Sequence, residues 1–135
     1  MYMLDTNICI YIIKRRPSEV LSKFEKIKQG QICISIVTYA ELKFGVEKSS
    51  SKQMNQNIVE EFVARLKVDL WDVEAANHYA KIRYYLEHQG TPIRNMDMMI
   101  AAHARSQGCR LVTNNLREFE RVPDLKLENW IINSI

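Results

Sequence analysis

The sequence predicts an α/β fold with a mostly parallel central sheet, on three observations. Short apolar runs of strand length recur at residues 2–5, 32–36, 68–71 and 111–113. Longer amphipathic or wholly apolar stretches lie between them. No internal repeat or low-complexity tract interrupts the alternation. Strand–helix–strand units give parallel strands joined by right-handed crossovers. At 135 residues, one domain is the expectation.

The first strand, residues 2–5, is an apolar run that ends on Asp5. A carboxylate has no place inside a core, so Asp5 belongs at the carboxyl end of the strand, where ligands bind in open α/β sheets. A short apolar helix over 8–13 stops before Pro17. Ser18 caps the next helix, whose Val20, Leu21, Phe24 and Ile27 recur at helical spacing, and Gly30 ends it. The compact β-branched run 32–36 is the second strand. A helix then begins at Thr38 or its neighbour, with Glu41 set among Val37, Ala40, Leu42, Phe44 and Val46. After the polar break Ser49-Ser50-Ser51, the stripe Ile58, Val59, Phe62, Val63 and Leu66 marks a packed helix. Residues 68–71 make the third strand. A long helix spans 74–89, closed by Gly90, and 92–95 is a loop. Residues 96–106 are apolar almost all round, which marks a buried helix, closed by Gly108. Residues 111–113 are the fourth strand. A polar loop with Pro123 leads to an edge strand over 127–132.

Hydrophobic residues at 47% and charged residues at 26% argue for a globular chain, against disorder and coiled coil. A net charge of +3 is compatible with a nucleic-acid partner without requiring one. Cys9, Cys33 and Cys109 sit in apolar runs without metal-like spacing and read as core residues in a reducing compartment. The apolar start does not resemble a signal peptide, because Asp5 comes early and the cluster Lys14-Arg15-Arg16 follows the apolar part. No run approaches the ~18 apolar residues of a membrane span. A cytoplasmic protein with no membrane contact is expected.

Three carboxylates break this pattern. Asp5 ends the first strand, although a cap of the following helix explains it equally. Glu41 lies one turn into the helix after the second strand, where a solvent-facing Glu is the simpler reading. Asp97 lies in the first turn of the apolar helix, favourable to the helix dipole, yet on the stripe that packs with Ala101 and Ala104. All three fall at a strand end or the start of a following helix, on one face of the expected sheet. The equivalent place after the fourth strand carries Thr113-Asn114-Asn115. Converging carboxylates repel one another, and a hard divalent cation such as Mg²⁺, with Mn²⁺ as alternative, resolves the repulsion. His78, His88 and His103 are scattered and read as surface or packing residues.

The chain resembles the PIN-domain ribonucleases, and among them the VapC toxins of bacterial toxin–antitoxin pairs. The likeness rests on Leu4-Asp5-Thr6-Asn7, on Ser35 with Thr38-Tyr39-Ala40-Glu41-Leu42 and Gly45, and on Thr91-Pro92-Ile93 with Asp97 and Ile100-Ala101-Ala102-His103-Ala104. It continues through Leu111-Val112-Thr113-Asn114-Asn115, Arg117-Glu118-Phe119 and Leu127-Glu128-Asn129-Trp130. By position, Asp5, Glu41 and Asp97 match the family's metal-binding acids, and Thr6, Asn7 and Thr113 its supporting polar residues. The resemblance implies a three-layer α/β/α domain with a sheet of four to five strands. It also implies Mg²⁺-dependent endoribonuclease activity, a homodimer and neutralisation by a cognate VapB-type antitoxin. A structured transfer RNA, including the initiator species, is the target it suggests. Two departures stand out. Many PIN domains carry a fourth acid where Asn115 stands, which leaves one or two metals open. Related toxins usually have Gly-Pro where this chain has Arg94-Asn95.

Such a site cleaves phosphodiesters without a nucleophilic side chain, by metal-activated water, leaving 5′-phosphate and 3′-hydroxyl ends. Thr6, Asn7, Thr113 and Asn115 would orient ligands and waters. Arg94, Arg117 and Lys43, with Lys14, Arg15 and Arg16, are candidates for substrate phosphates, each equally readable as a solvated surface cation. Two rivals start from a strand-end Asp, but a haloacid-dehalogenase-type phosphatase needs a second Asp at Asn7, and a receiver domain needs an acidic pair that Asp5 lacks. The non-enzymatic rival is a catalytically silent RNA- or antitoxin-binding module, for which Asn115 is the best support.

Overall fold

The computed structural model describes residues 1–132. Five parallel strands form one sheet in the order β3-β2-β1-β4-β5. They are β1 (Tyr2–Leu4), β2 (Ile32–Ser35), β3 (Lys67–Asp69), β4 (Arg110–Val112) and β5 (Lys126–Glu128). Because every pairing is parallel, all carboxyl ends share one edge. The first strand is central, with Met3 opposite both Cys33 and Leu111.

Alternation along the strands builds the layers on either face. Met3, Cys33 and Leu111 point into one core, packed under α5 (Val73–Gln89) and α6 (Asn95–Gln107) through Ile82, Leu86, Met98 and Ile100. Leu4, Ile32, Ile34 and Val112 point into the other. There they meet α1 (Thr6–Lys14), α2 (Ser18–Lys26), α3 (Ile36–Glu47) and α4 (Lys52–Val63) through Ile8, Phe24, Leu42 and Phe62. The result is the helix–sheet–helix architecture expected from the sequence. All three cysteines are free and buried, as their apolar surroundings imply.

Several boundaries move. Helix α1 begins at Thr6, with Asp5 as its cap and not the last strand residue. Pro17, not Ser18, occupies the cap position of α2, and that helix ends at Lys26, ahead of a 3₁₀ turn at Gln29–Gln31 that contains Gly30. Helix α3 starts two residues earlier than Thr38, capped by Ser35. Helix α6 starts at Asn95, inside the expected loop. The expected polar loop after β4 holds one more helix, α7 (Leu116–Phe119). The edge strand is confined to Lys126–Glu128.

Candidate active site

The β1–β4 register carries one residue past the strands: the Asp5 amide donates to the Val112 carbonyl at 3.0 Å. This sets Asp5 beside Thr113 at the carboxyl edge. The Asp5 carboxylate accepts from the Ile8 amide at 2.9 Å, so it caps α1 as well. It is only 5% exposed. Burial pushes its carboxyl up to about 6; the Thr113 side chain and the Ile8 amide pull it back down, while the charges of Asp97 and Glu41 push it further up.

Glu41 projects from the second turn of α3 and is partly buried. Its Oε1 accepts the Thr6 hydroxyl, which ties α3 to the start of α1. Asp97, in the first turn of α6, is buried and held by Arg94. The Arg94 Nε donates to Asp97 Oδ2 at 3.1 Å and its Nη2 to Oδ1 at 3.2 Å. The same Nη2 lies 3.6 Å from Glu41 Oε2. Arg94 therefore links two of the acids, and the charges of both are felt at the third.

The other expected residues divide. Thr113 is fully buried, and its hydroxyl accepts the Asn115 amide at 2.9 Å. Asn115 Nδ2 donates to Glu118 Oε2 at 3.0 Å. Asn7 is exposed, as is Arg117 on α7. Lys43 is engaged elsewhere, 3.1 Å from Glu60 on α4, where Tyr39 also donates at 2.9 Å. Glu118 was singled out by no spacing argument. Its signal is the i, i+3 relation to Asn115 across one turn, invisible while that segment reads as a loop.

The chemistry of this donor set fits a hard divalent cation: carboxylate oxygens backed by hydroxyls and amides, with Arg94 the cation bridging them. The side chains as they stand do not wrap one. Among the described residues, no three His, Cys, Asp or Glu groups stand close enough together to share an ion. Glu41 is turned onto Thr6 and Arg94, Asp97 onto Arg94, and Asp5 onto the Ile8 amide. A shared ion requires Arg94 to release Asp97 and Glu41.

Comparison with known proteins gives a consistent result. The family model described as the PIN domain matches residues 2–125. The chain is 50% identical over 130 residues to the ribonuclease VapC2 of Haemophilus influenzae, covering 96% of this chain and 98% of that protein. It is 50% identical over 129 residues to the tRNA(fMet)-specific endonuclease VapC of Shigella flexneri, covering 96% and 97%. Among solved structures, VapBC2 from Rickettsia felis bound to a DNA fragment from their promoter superposes with a TM-score of 0.91 at 41% identity, covering 96% of this chain and 98% of that one. The chain thus belongs to the PIN-domain family, among the VapC ribonucleases.

Proposed function

We propose that this chain is a Mg²⁺-dependent endoribonuclease toxin, with Mn²⁺ able to substitute. Its substrate is a structured transfer RNA, the initiator species by likeness to the Shigella flexneri relative. Cleavage of that RNA inhibits translation. The observation that carries the reading is that Arg94 pairs with both Asp97 and Glu41, at 3.1 and 3.6 Å, while the charges of those two acids act on the buried Asp5.

A bound divalent ion supplies Lewis acidity and a water of lowered pKa. Asp5, Glu41 and Asp97 would hold it. Asp5 would bind as the carboxylate, its prevailing form above about pH 6. Thr113 and the Ile8 amide fix the Asp5 carboxyl, and Thr6 fixes Glu41. Asn115 stands where many PIN domains carry a fourth acid, and its side-chain amide donates to Glu118. Arg117, exposed on α7, is available to a substrate phosphate, as are the exposed Lys14, Arg15 and Arg16, whereas Lys43 is already paired with Glu60. Such contacts position the strand without reading its sequence.

A VapB-type antitoxin is the proposed partner, as in the VapBC assemblies of similar fold. An apolar groove lined by Ile10, Ile13, Leu42, Val46 and Ile58 runs up to Glu41 and supports docking of an apolar segment beside the acids. Leu70, Val73 and Tyr84, exposed on and before α5, support a homodimer. No described helix is long and apolar enough to cross a membrane.

The test is direct. Purified protein with Mg²⁺ cuts RNA to 5′-phosphate and 3′-hydroxyl ends, and a chelator abolishes cutting. Asp97→Asn removes a charge and little volume, so the variant folds by circular dichroism and loses at least about 100-fold in rate, the scale of losing a metal's transition-state stabilisation. A folded Asp97→Asn that cuts as fast as the parent overturns the proposal. The second reading, a catalytically silent RNA-binding module, is favoured by Asn115 and by the hold of Arg94 on the acids; it requires RNA binding without cleavage at any Mg²⁺ concentration.

A further inference from the structure

Arg94 stands where the acids need positive charge. Its guanidinium forks onto both oxygens of Asp97, at 3.1 and 3.2 Å, and reaches Glu41 at 3.6 Å. We propose that Arg94 is a built-in counter-cation which a divalent ion must displace, so that this one side chain sets the metal affinity of the site. The inference rests on reading Asp5, Glu41 and Asp97 as the metal ligands.

The argument is one of shared space and shared lone pairs. A small divalent ion binds carboxylate oxygen at about 2.0–2.1 Å and demands near-octahedral geometry. The guanidinium occupies the same oxygens in a planar fork with its own directional demands. The forked guanidinium and a divalent ion compete for the lone pairs of Asp97, and like charges so close repel. Exchange is nevertheless accessible. The Arg94 backbone is fixed, because its carbonyl accepts the Met98 amide at 3.0 Å at the start of α6. Its side chain is 66% exposed, so the guanidinium leaves for solvent without disturbing the core. Other charged groups near it belong to the same ensemble: Glu118 on α7 is felt at Arg94 beside Asp97 and Glu41. Arg121 is occupied instead with the Pro92 carbonyl, at 3.2 Å. With Arg94 in place the acids carry a partner in the metal-free protein. Without it they face each other unscreened.

Metal binding separates this from activity. Metal-free protein is titrated with Mn²⁺ by calorimetry, comparing the parent with Arg94→Gln, Arg94→Lys and Asp97→Asn, each first checked by circular dichroism. Gln keeps an amide donor on a shorter side chain and carries no charge. Arg94→Gln binds Mn²⁺ about fivefold tighter than the parent, the upper end for removing one solvent-exposed ion pair, and Arg94→Lys falls between. In chelator, Arg94→Gln melts below the parent, and Mn²⁺ raises its melting temperature by more than it raises the parent's. Arg94→Gln that binds Mn²⁺ no tighter than the parent, while Asp97→Asn binds it poorly, overturns the inference and leaves the nuclease reading standing. Mn²⁺ binding that is absent from the parent, or unchanged in Asp97→Asn, overturns both.

Discussion

Asp5 carries two duties that oppose each other. As a cap it receives the Ile8 amide and stabilises α1. As a buried charge it costs free energy, and burial holds its carboxyl at about 6, against an ordinary 3.8. Between those two values the folded chain keeps a proton that the unfolded chain has released. Stability therefore falls as pH rises from about 4 to 6, and the loss is complete above that window, up to about 3 kcal/mol. Asp5→Asn keeps an oxygen for the cap and removes the charge. In chelator it melts higher than the parent at pH 7.5, and the two melting curves converge near pH 4. A constant difference at all pH values contradicts this account. The acids were legible in the sequence because a carboxylate stands out against an apolar run. The fork from Arg94 was not. Residue spacing allows an i, i+3 ion pair but does not say which oxygens a flexible side chain chooses.

At the scale of the element, helix α3 decides where Glu41 points, and its start rests on two buried hydroxyls with opposite fortunes. Ser35 Oγ accepts the Val37 amide at 3.0 Å and lies 2.7 Å from His103 Nδ1 on α6. Burial pushes the His103 imidazole below its ordinary value, so it is neutral at physiological pH and the contact joins two uncharged groups. The Thr38 hydroxyl, one turn on, is buried and has no hydrogen-bond partner among the described residues. Ser35→Ala strands both an amide and an imidazole nitrogen and lowers unfolding stability by about 2 kcal/mol. Thr38→Val exchanges an unpaired hydroxyl for a methyl and is neutral or stabilising by up to about 1 kcal/mol. Urea unfolding of the two variants checks both signs. The sequence misplaced this helix start for a related reason. Ile36 and Val37 are β-branched and extend the run of β2, yet they form the buried first turn of α3. Hydrophobic patterning does not mark a boundary when both sides of it are core. Helix α7 was missed because four residues are too few to show a period.

For the molecule as a whole, the parallel sheet was the most legible feature, because alternation of strands and helices leaves few other topologies. Its geometry separates two rims. Asp5, the start of α3 and Thr113 lie at the carboxyl ends of β1, β2 and β4. The chain returns to the sheet at the opposite rim, through the turn Gln29–Gln31 before β2 and through Gly108 and Cys109 before β4. Lengthening the two rims should have unequal effects. A short Gly-Ser insertion between Gln29 and Gly30 leaves RNA cleavage within about twofold, since exposed connections absorb extra residues. The same insertion between Asn114 and Asn115 abolishes it. Assays of both chains with Mg²⁺ read this out.

That separation frees the returning turns from chemistry. They can lengthen, shorten or change charge under selection for a partner or an RNA shape while the acids keep their places. Diversity within such a lineage should therefore gather on the far side of the sheet, and a reporter tag spliced there would follow the protein without silencing it.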